Sequence, residues 1–180
     1  MILTDGVISL VPLAEAHLAG LAALLDDPEV VANTRVPEPL PEGFAGQWLQ
    51  AYRDGEADGT RDGFAIEDAE SGEFLGLAGL VAIERAANQA EIGYIVAPGA
   101  RGRGIATRAL RLVTDYALAE VGLARVQLLI SVDNTPSLRV AERCGYLREG
   151  VFRSLYLKPG RRQDTVVYSR LPRDKESGTD

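Results

Sequence analysis

Seventeen residues in the middle of the chain, Glu91–Thr107 (EIGYIVAPGARGRGIAT), hold the densest set of features able to do chemistry. A strand-like run stops at Pro98-Gly99, and Gly102 and Gly104 stand just before an amphipathic helical stretch. Glycine lets the backbone approach a ligand closely and adopt conformations that other residues avoid. The first N–H groups of the following helix lack helical partners, and the helix dipole adds partial positive charge there. Arg101, Arg103 and Arg108 add formal charge. Together these describe an anion cradle suited to a pyrophosphate. The plainer alternative is a glycine turn before a core helix.

Two nucleotide classes fit the segment poorly. A P-loop needs GxxxxGK followed by Ser or Thr, which the chain lacks. A dinucleotide fingerprint needs GxGxxG at the start of a βαβ unit, and here Thr107 stands at the third position. Other chemistries are bounded by counts. One histidine (His17) and one cysteine (Cys144) exclude an internal disulfide and a conventional zinc site, and no metal is expected. Cys144, on an apolar helix edge before Gly145, reads as core rather than nucleophile. His17 reads as a surface residue of the first helix.

The elements around this segment alternate between strand and helix periodicity. Strands are predicted at Val7–Pro12, Phe64–Glu67, Phe74–Ile83, Gln89–Val96, Val126–Val132, Tyr146–Leu157 and Thr165–Leu171. Helices are predicted at Ala14–Leu25, Glu42–Gly55, Ile105–Ala119 and Pro136–Cys144. Asp26-Asp27-Pro28 reads as the stop of the first helix. Val126–Val132, almost continuously apolar, reads as a central strand buried on both faces. The order β-α-α-β-β-β-α-β-α-β-β predicts a mixed α/β (α+β) sheet covered by helices, not a doubly wound array.

At 180 residues the chain fits one domain, expected over residues 1–172, with a polar, disordered tail at 173–180. No run is long enough to cross a bilayer and the N-terminus lacks signal-peptide character, so a cytoplasmic protein is expected. The net charge of −7 disfavours nucleic acid as a partner. Residues 1–100 carry 17 Asp+Glu against 4 Lys+Arg, while residues 101–180 carry 9 against 15. This is either scatter on solvated faces or a division between a half that holds an anion and a half that faces something basic.

Arg101-Gly102-Arg103-Gly104-Ile105-Ala106 resembles the (Q/R)-x-x-G-x-(G/A) signature of the GNAT acyl-CoA N-acyltransferases. Leu10-Val11-Pro12-Leu13 and Asp27-Pro28-Glu29-Val30 are similar to that superfamily's opening. Ala90-Glu91-Ile92-Gly93-Tyr94 followed by Val96 and Pro98 resembles its fourth strand. Asn134-Thr135-Pro136-Ser137 with Ala141–Tyr146, and the closing Asp164–Leu171, resemble its ribosomal-protein-alanine N-acetyltransferase branch. The resemblance covers nearly the whole chain. It implies a mostly antiparallel sheet of about seven strands, splayed in a V between strands 4 and 5 at a bulge and flanked by about four helices.

It also implies roles. Backbone N–H groups of Arg101, Gly102, Arg103, Gly104, Ile105 and Ala106, with the Thr107 hydroxyl, would hold the pyrophosphate of acetyl-CoA. Main-chain groups of Tyr94, Ile95 and Val96 would line the pantetheine arm. Asn134 would bond that arm, or cap a helix, or both. An amine must lose a proton to attack the thioester. Glu91 is the first candidate base, with a solvated strand-end carboxylate as the alternative, and Tyr156 is the second. The Val96 N–H is the expected oxyanion donor. Ser137 either donates to the departing thiolate or faces solvent. Phe44, Trp48 and Tyr52 either wall the acceptor site or simply pack.

The implied activity is acetyl transfer to a primary amine, on a protein or peptide N-terminus or a small basic amine. The alternatives are a catalytically silent acyl-CoA-binding module and a dinucleotide binder. Arg101 and Arg103 are expected to act through charge. Glu38, Glu42 and the Asp54–Asp58 stretch are expected to steer a basic protein N-terminus or a polyamine. Exposed sheet edges leave a homodimer open.

Overall fold

The computed structural model describes residues 1–174. Eight strands form one sheet in the order β1-β2-β3-β4-β5-β6-β8-β7. The strands are β1 (Leu3–Thr4), β2 (Ile8–Pro12), β3 (Asp62–Asp68), β4 (Phe74–Glu84), β5 (Gln89–Val96), β6 (Arg125–Ser131), β7 (Leu147–Lys158) and β8 (Arg161–Arg170). All neighbours run antiparallel except β5 and β6, which are parallel over three residue pairs, Gln89↔Arg125, Ala90↔Val126 and Glu91↔Gln127. Beyond Glu91 the two strands part, so the expected V opens between the fourth and fifth of the predicted strands. The extra residue lies not in β5 but in β4, where Val81 bulges out between Leu80↔Ile92 and Ala82↔Glu91. A bulge bends its strand and strengthens its twist.

Helices cover both faces. On one face α4 (Ile105–Asp115) and α5 (Thr135–Arg143) bury Ile105, Ala109, Leu110, Val113 and Ala141 against Leu80, Ile92, Leu128 and Val166 of the sheet. On the other, α1 (Leu18–Leu25), α2 (Pro28–Asn33) and α3 (Phe44–Asp58) pack Leu21, Leu24, Leu25 and Val30 against Leu77, with Ile95 at the margin. The alternation of Leu77 with Ala78 and Leu80 between the two clusters is the period of two that a strand imposes.

Several elements differ from the sequence reading, each for a local reason. Strand β1 has only two residues, too short for a periodic signal. Helix α2 begins where a stop was read. Asp27 caps it, accepting the Val30 N–H at 3.1 Å, and Pro28 occupies its first position. The third predicted helix ends early, in a widened π turn over Tyr116–Glu120. The last strand starts four residues sooner. β6 is buried on one face only, through Val126, Leu128 and Ile130, while Gln127 and Leu129 are half-buried on the other.

His17 is not a surface residue. It is 8% exposed, stacked on Phe74, with Nδ1 accepting the Ala14 N–H (2.9 Å) and Nε2 donating to Glu67 (3.0 Å). Cys144 is buried, as expected. At the C-terminus residues 172–174 form a 3₁₀ turn closed by the Leu171 N–H on Asp174 (2.9 Å). The rest of the expected tail, 175–180, lies outside the described residues.

Candidate active site

A cavity of about 1020 Å³ runs through the V between β5 and β6. Successive N–H groups of a strand point to opposite sides, and Ala97 donates to Leu75 of β4 at 2.8 Å. The main-chain groups of Tyr94 and Val96 therefore face the opened gap, where β6 no longer pairs with them. Those of Ile95 face β4, opposite Leu77. Of the three residues expected to line the gap with their backbone, Tyr94 and Val96 do so and Ile95 does not.

The gap leads to the glycine turn. Gly102 and Gly104 have φ of +75° and +79°, a region that side chains rarely adopt, and a Cβ at either would enter open space. Gly104 is the N-cap of α4, so the N–H groups of Ile105, Ala106 and Thr107 point outward without helical partners. Gly102, Gly104, Ile105, Ala106 and Thr107 all line the cavity. The glycine turn and open helix start read from the sequence are both present, and what they turn toward the cavity is backbone.

Its arginines behave differently from the expectation. Arg101 lines the cavity, but its guanidinium is bound to Asp27 (2.7 Å) and Glu29 (2.6 Å), and its Nε donates to the Val96 carbonyl (3.2 Å). It ties the start of α2 to the end of β5. Arg108 is bound to Asp5 (2.6 Å). Arg103 is exposed and outside the cavity lining, near Asp68, whose carboxyl is held low mainly by the Ser71 N–H and hydroxyl, with a smaller contribution from Arg103.

Across the gap, Asn134 caps α5, its Oδ1 accepting the Ser137 N–H at 3.2 Å. The Tyr94 hydroxyl donates to the Ser137 carbonyl (3.4 Å), so its ring spans from β5 to α5. Burial pushes the Tyr94 phenol up to about 12, opposed by a hydrogen bond with the Ser137 side chain. Asn134 and Ser137 line the cavity.

Glu91 stands at the vertex of the V, the last β5 residue paired with β6. It is half-buried and lines the cavity; burial raises its carboxyl above the ordinary value, and only the charge of Arg35 opposes the rise. A raised carboxylate is a stronger base. Tyr156 also lines the cavity but is 54% exposed on the edge strand β7, with Arg162 5.9 Å above its ring. Phe44, Trp48 and Tyr52, four apart on α3, form an aromatic ladder on one wall.

The acidic residues expected to steer a substrate lie elsewhere. Glu38, Glu42, Asp54, Glu56 and Asp58 do not line the cavity. Glu38 sits 3.5 Å from Lys158, Asp54 accepts from Gln50, and Asp58 accepts from Thr60. Sequence reasoning passed over Arg35, Arg61 and Lys158. Lys158 is 6% exposed, and its Nζ donates to the carbonyls of Val31 (2.8 Å) and Val36 (3.0 Å). Arg35 and Arg61 had one signal available: they are two of only four cations in the first hundred residues.

A family model, the acetyltransferase (GNAT) domain, matches residues 8–147. The chain belongs to the GNAT acetyltransferase family. It is accordingly an acyl-CoA-dependent acetyltransferase. The Bacillus subtilis protein named "Putative ribosomal N-acetyltransferase YdaF" is 35% identical over 144 residues, covering 80% of this chain and 75% of that protein. The spermidine N(1)-acetyltransferase of Vibrio cholerae is 31% identical over 101 residues, 56% of this chain and 58% of that protein. Among solved structures, the ribosomal L7/L12 alpha-N-protein acetyltransferase RimL in complex with coenzyme A aligns with a TM-score of 0.85 at 21% identity. It covers 95% of this chain and 98% of that one, and this likeness shows the GNAT fold. No helix among the described residues is long and apolar enough to cross a membrane, and no group of side chains there could hold a metal ion.

Proposed function

We propose that this GNAT protein transfers the acetyl group of acetyl-CoA to the primary amine at the N-terminus of a peptide or protein, with Glu91 as general base. One observation carries the reading: a half-buried carboxylate with a raised pKa stands at the vertex where β5 and β6 part. The fit to acetyl-CoA rests on this chain's own geometry. The backbone N–H groups at the start of α4 suit a pyrophosphate. The gap-facing main-chain groups of Tyr94 and the Val96 N–H offer an extended arm the partners that β6 withholds, and the Asn134 amide nitrogen, without a partner among the described residues, suits the same arm.

Acetyl-CoA supplies an activated thioester. Glu91 takes the proton of the incoming ammonium group, directly or through one water, leaving a neutral nitrogen that can bond to the carbonyl carbon. The Tyr94 N–H, closer to Glu91 than the Val96 N–H first considered, receives the negative charge that grows on the carbonyl oxygen. The Ser137 hydroxyl, in reach of the Tyr94 phenol, gives its proton to the sulfur as the C–S bond breaks and regains one from the nitrogen, which sheds its second proton as the amide forms. Tyr156 walls the acceptor side. An α-amine suits this base better than a lysine-type amine, because its pKa of about 8 against about 10.4 leaves less proton affinity to overcome. A ribosomal protein N-terminus follows the name of the YdaF relative; a polyamine follows the name of the spermidine enzyme.

The test is mass spectrometry of peptide and polyamine libraries incubated with acetyl-CoA, using wild type and Glu91→Gln. Acetylated N-termini, reduced about 100-fold or more by Glu91→Gln while acetyl-CoA still binds, are expected for loss of a general base. The acid limb of kcat/KM lies above the ordinary carboxylate range, in the direction of the Glu91 shift. Bound acetyl-CoA with no acetylated product would favour the silent binding module.

A further inference from the structure

The charges inside the cavity run against the composition of the half that supplies them. Residues 1–100 hold 17 carboxylates and four arginines. Only two of those carboxylates, Glu29 and Glu91, line the cavity, and two of the four arginines, Arg35 and Arg61, do. Glu29 is bound to Arg101. On the acceptor side, therefore, Glu91 stands against two guanidinium groups, and neither Arg35 nor Arg61 enters an ion pair among the described residues.

The backbone that carries Arg35 is held in place, and so is the Arg61 guanidinium. Arg35 sits in the connection from α2 to α3, pinned on each side. Before it, Thr34 donates to the Val30 carbonyl (2.6 Å) and Lys158 to Val31; after it, Lys158 donates to Val36. Arg61 precedes β3, its guanidinium carbon 5.8 Å above the Tyr52 ring, which stacks in turn 6.1 Å from Trp48. Guanidinium is always charged and matches a carboxylate with two parallel donors. A polyammonium substrate would meet two cations there, and like charges facing each other across an interface are costly.

Building on the proposed transfer reaction, we infer that the acceptor is an amine bearing a carboxylate a few bonds from its nitrogen, with the nitrogen at Glu91 and the carboxylate between Arg35 and Arg61. The carboxylate has two possible sources, the α-carboxylate of a free amino acid and the side chain of an acidic first residue of a peptide. The chemistry recognised is the same.

Matched pairs separate these sources: free amino acids against their amides, and peptides beginning with Asp or Glu against those beginning with Asn or Gln, with spermidine as a third arm. Coenzyme A release gives kcat/KM, and calorimetry on the protein saturated with coenzyme A gives acceptor affinity without catalysis. The acid member is expected to be preferred by about tenfold or more, the scale of one hydrogen bond to a charged group. Arg35→Gln and Arg61→Gln should each narrow that preference, and added salt should narrow it in wild type because both side chains are exposed. Equal or better use of the amide, preference for spermidine, or an acid preference unchanged in both variants would overturn the inference. So would a failure of the acid member to bind. Tighter binding of the acid with no acetylation of any amine would overturn the transfer reading and leave this inference standing.

Discussion

The two ends of the cavity use arginine in opposite ways. At the glycine turn, where an anion is to be held, Arg101 and Arg108 are already bound to carboxylates and Arg103 turns away. At the far end, Arg35 and Arg61 line the wall without ion pairs among the described residues. Cations written beside an anion site thus need not be its counter-charge: Arg101 and Arg108 are struts, and the donors left facing the cavity at the turn are backbone N–H groups. Where arginines are left unpaired, they are positioned to meet a ligand.

The sharpest way to break this comparison is at the turn itself. Gly104→Val places a branched side chain in the open space before α4, at a backbone conformation that costs about 1–3 kcal/mol for such a residue. Acetyl-CoA affinity should fall about 100- to 1000-fold, for two or three lost charge-assisted contacts at about 1.5 kcal/mol each, while circular dichroism shows a folded protein. Unchanged affinity by calorimetry would remove the backbone cradle from the account.

A smaller effect distinguishes strut from counter-charge. Arg101→Gln releases Asp27 and Glu29 and should lower the melting temperature. The slope of acetyl-CoA affinity against salt should stay as it is in wild type. A flattened slope with an unchanged melting temperature would return Arg101 to the role of a phosphate partner.

The smallest effect tests what a strut looks like in pH. Arg125 binds Glu149 through both guanidinium nitrogens (2.7 and 2.6 Å), and Ser169 donates to the same carboxylate (2.6 Å). The hydrogen bonds of Arg125 lead in holding the Glu149 carboxyl down to about 2. A lowered folded value means that the stabilisation is complete above the unfolded carboxyl range and is lost as pH falls toward about 2. Glu149 is 43% exposed, so solvent screens the pair and the loss is modest. Urea midpoints in this acid window should fall less steeply for Glu149→Gln than for wild type.

Much of this was legible in the sequence because it depends on local periodicity. The alternation in Gln89–Val96, the stripe of Ile105–Val113 and the glycines at 102 and 104 are each readable within a short window. The cap-and-proline start of α2 was present but read as an ending, since Asp-Pro serves both. What stayed hidden depends on long-range register. The Val81 bulge shows only when β4 is laid against β5. That Arg101 meets Asp27 and Glu29, more than 70 residues away, or that Lys158 reaches Val31 and Val36, follows from the packing of distant elements. The −13 balance of the first hundred residues pointed to an acidic acceptor site because composition carries no direction. The fold keeps all of those carboxylates but Glu29 and Glu91 out of the cavity lining.

The three residue pairs joining β5 to β6 also set an order of assembly. Strands β3 to β5 form an antiparallel meander, to which β2 adds across a long connection holding α1 to α3, and β6 to β8 form a second group. The first needs no crossover between its adjacent strands β3, β4 and β5, whereas the joint between the groups waits for α4 to fold back and close a loop of some thirty residues. Loop closure makes such parallel contacts late to form. The same seam, with few rungs and a gap beyond them, is then the place where amide hydrogens exchange soonest within the sheet. A ligand lying in the gap would supply the missing rungs, so under the proposed function the protein completes its own sheet only when it is at work.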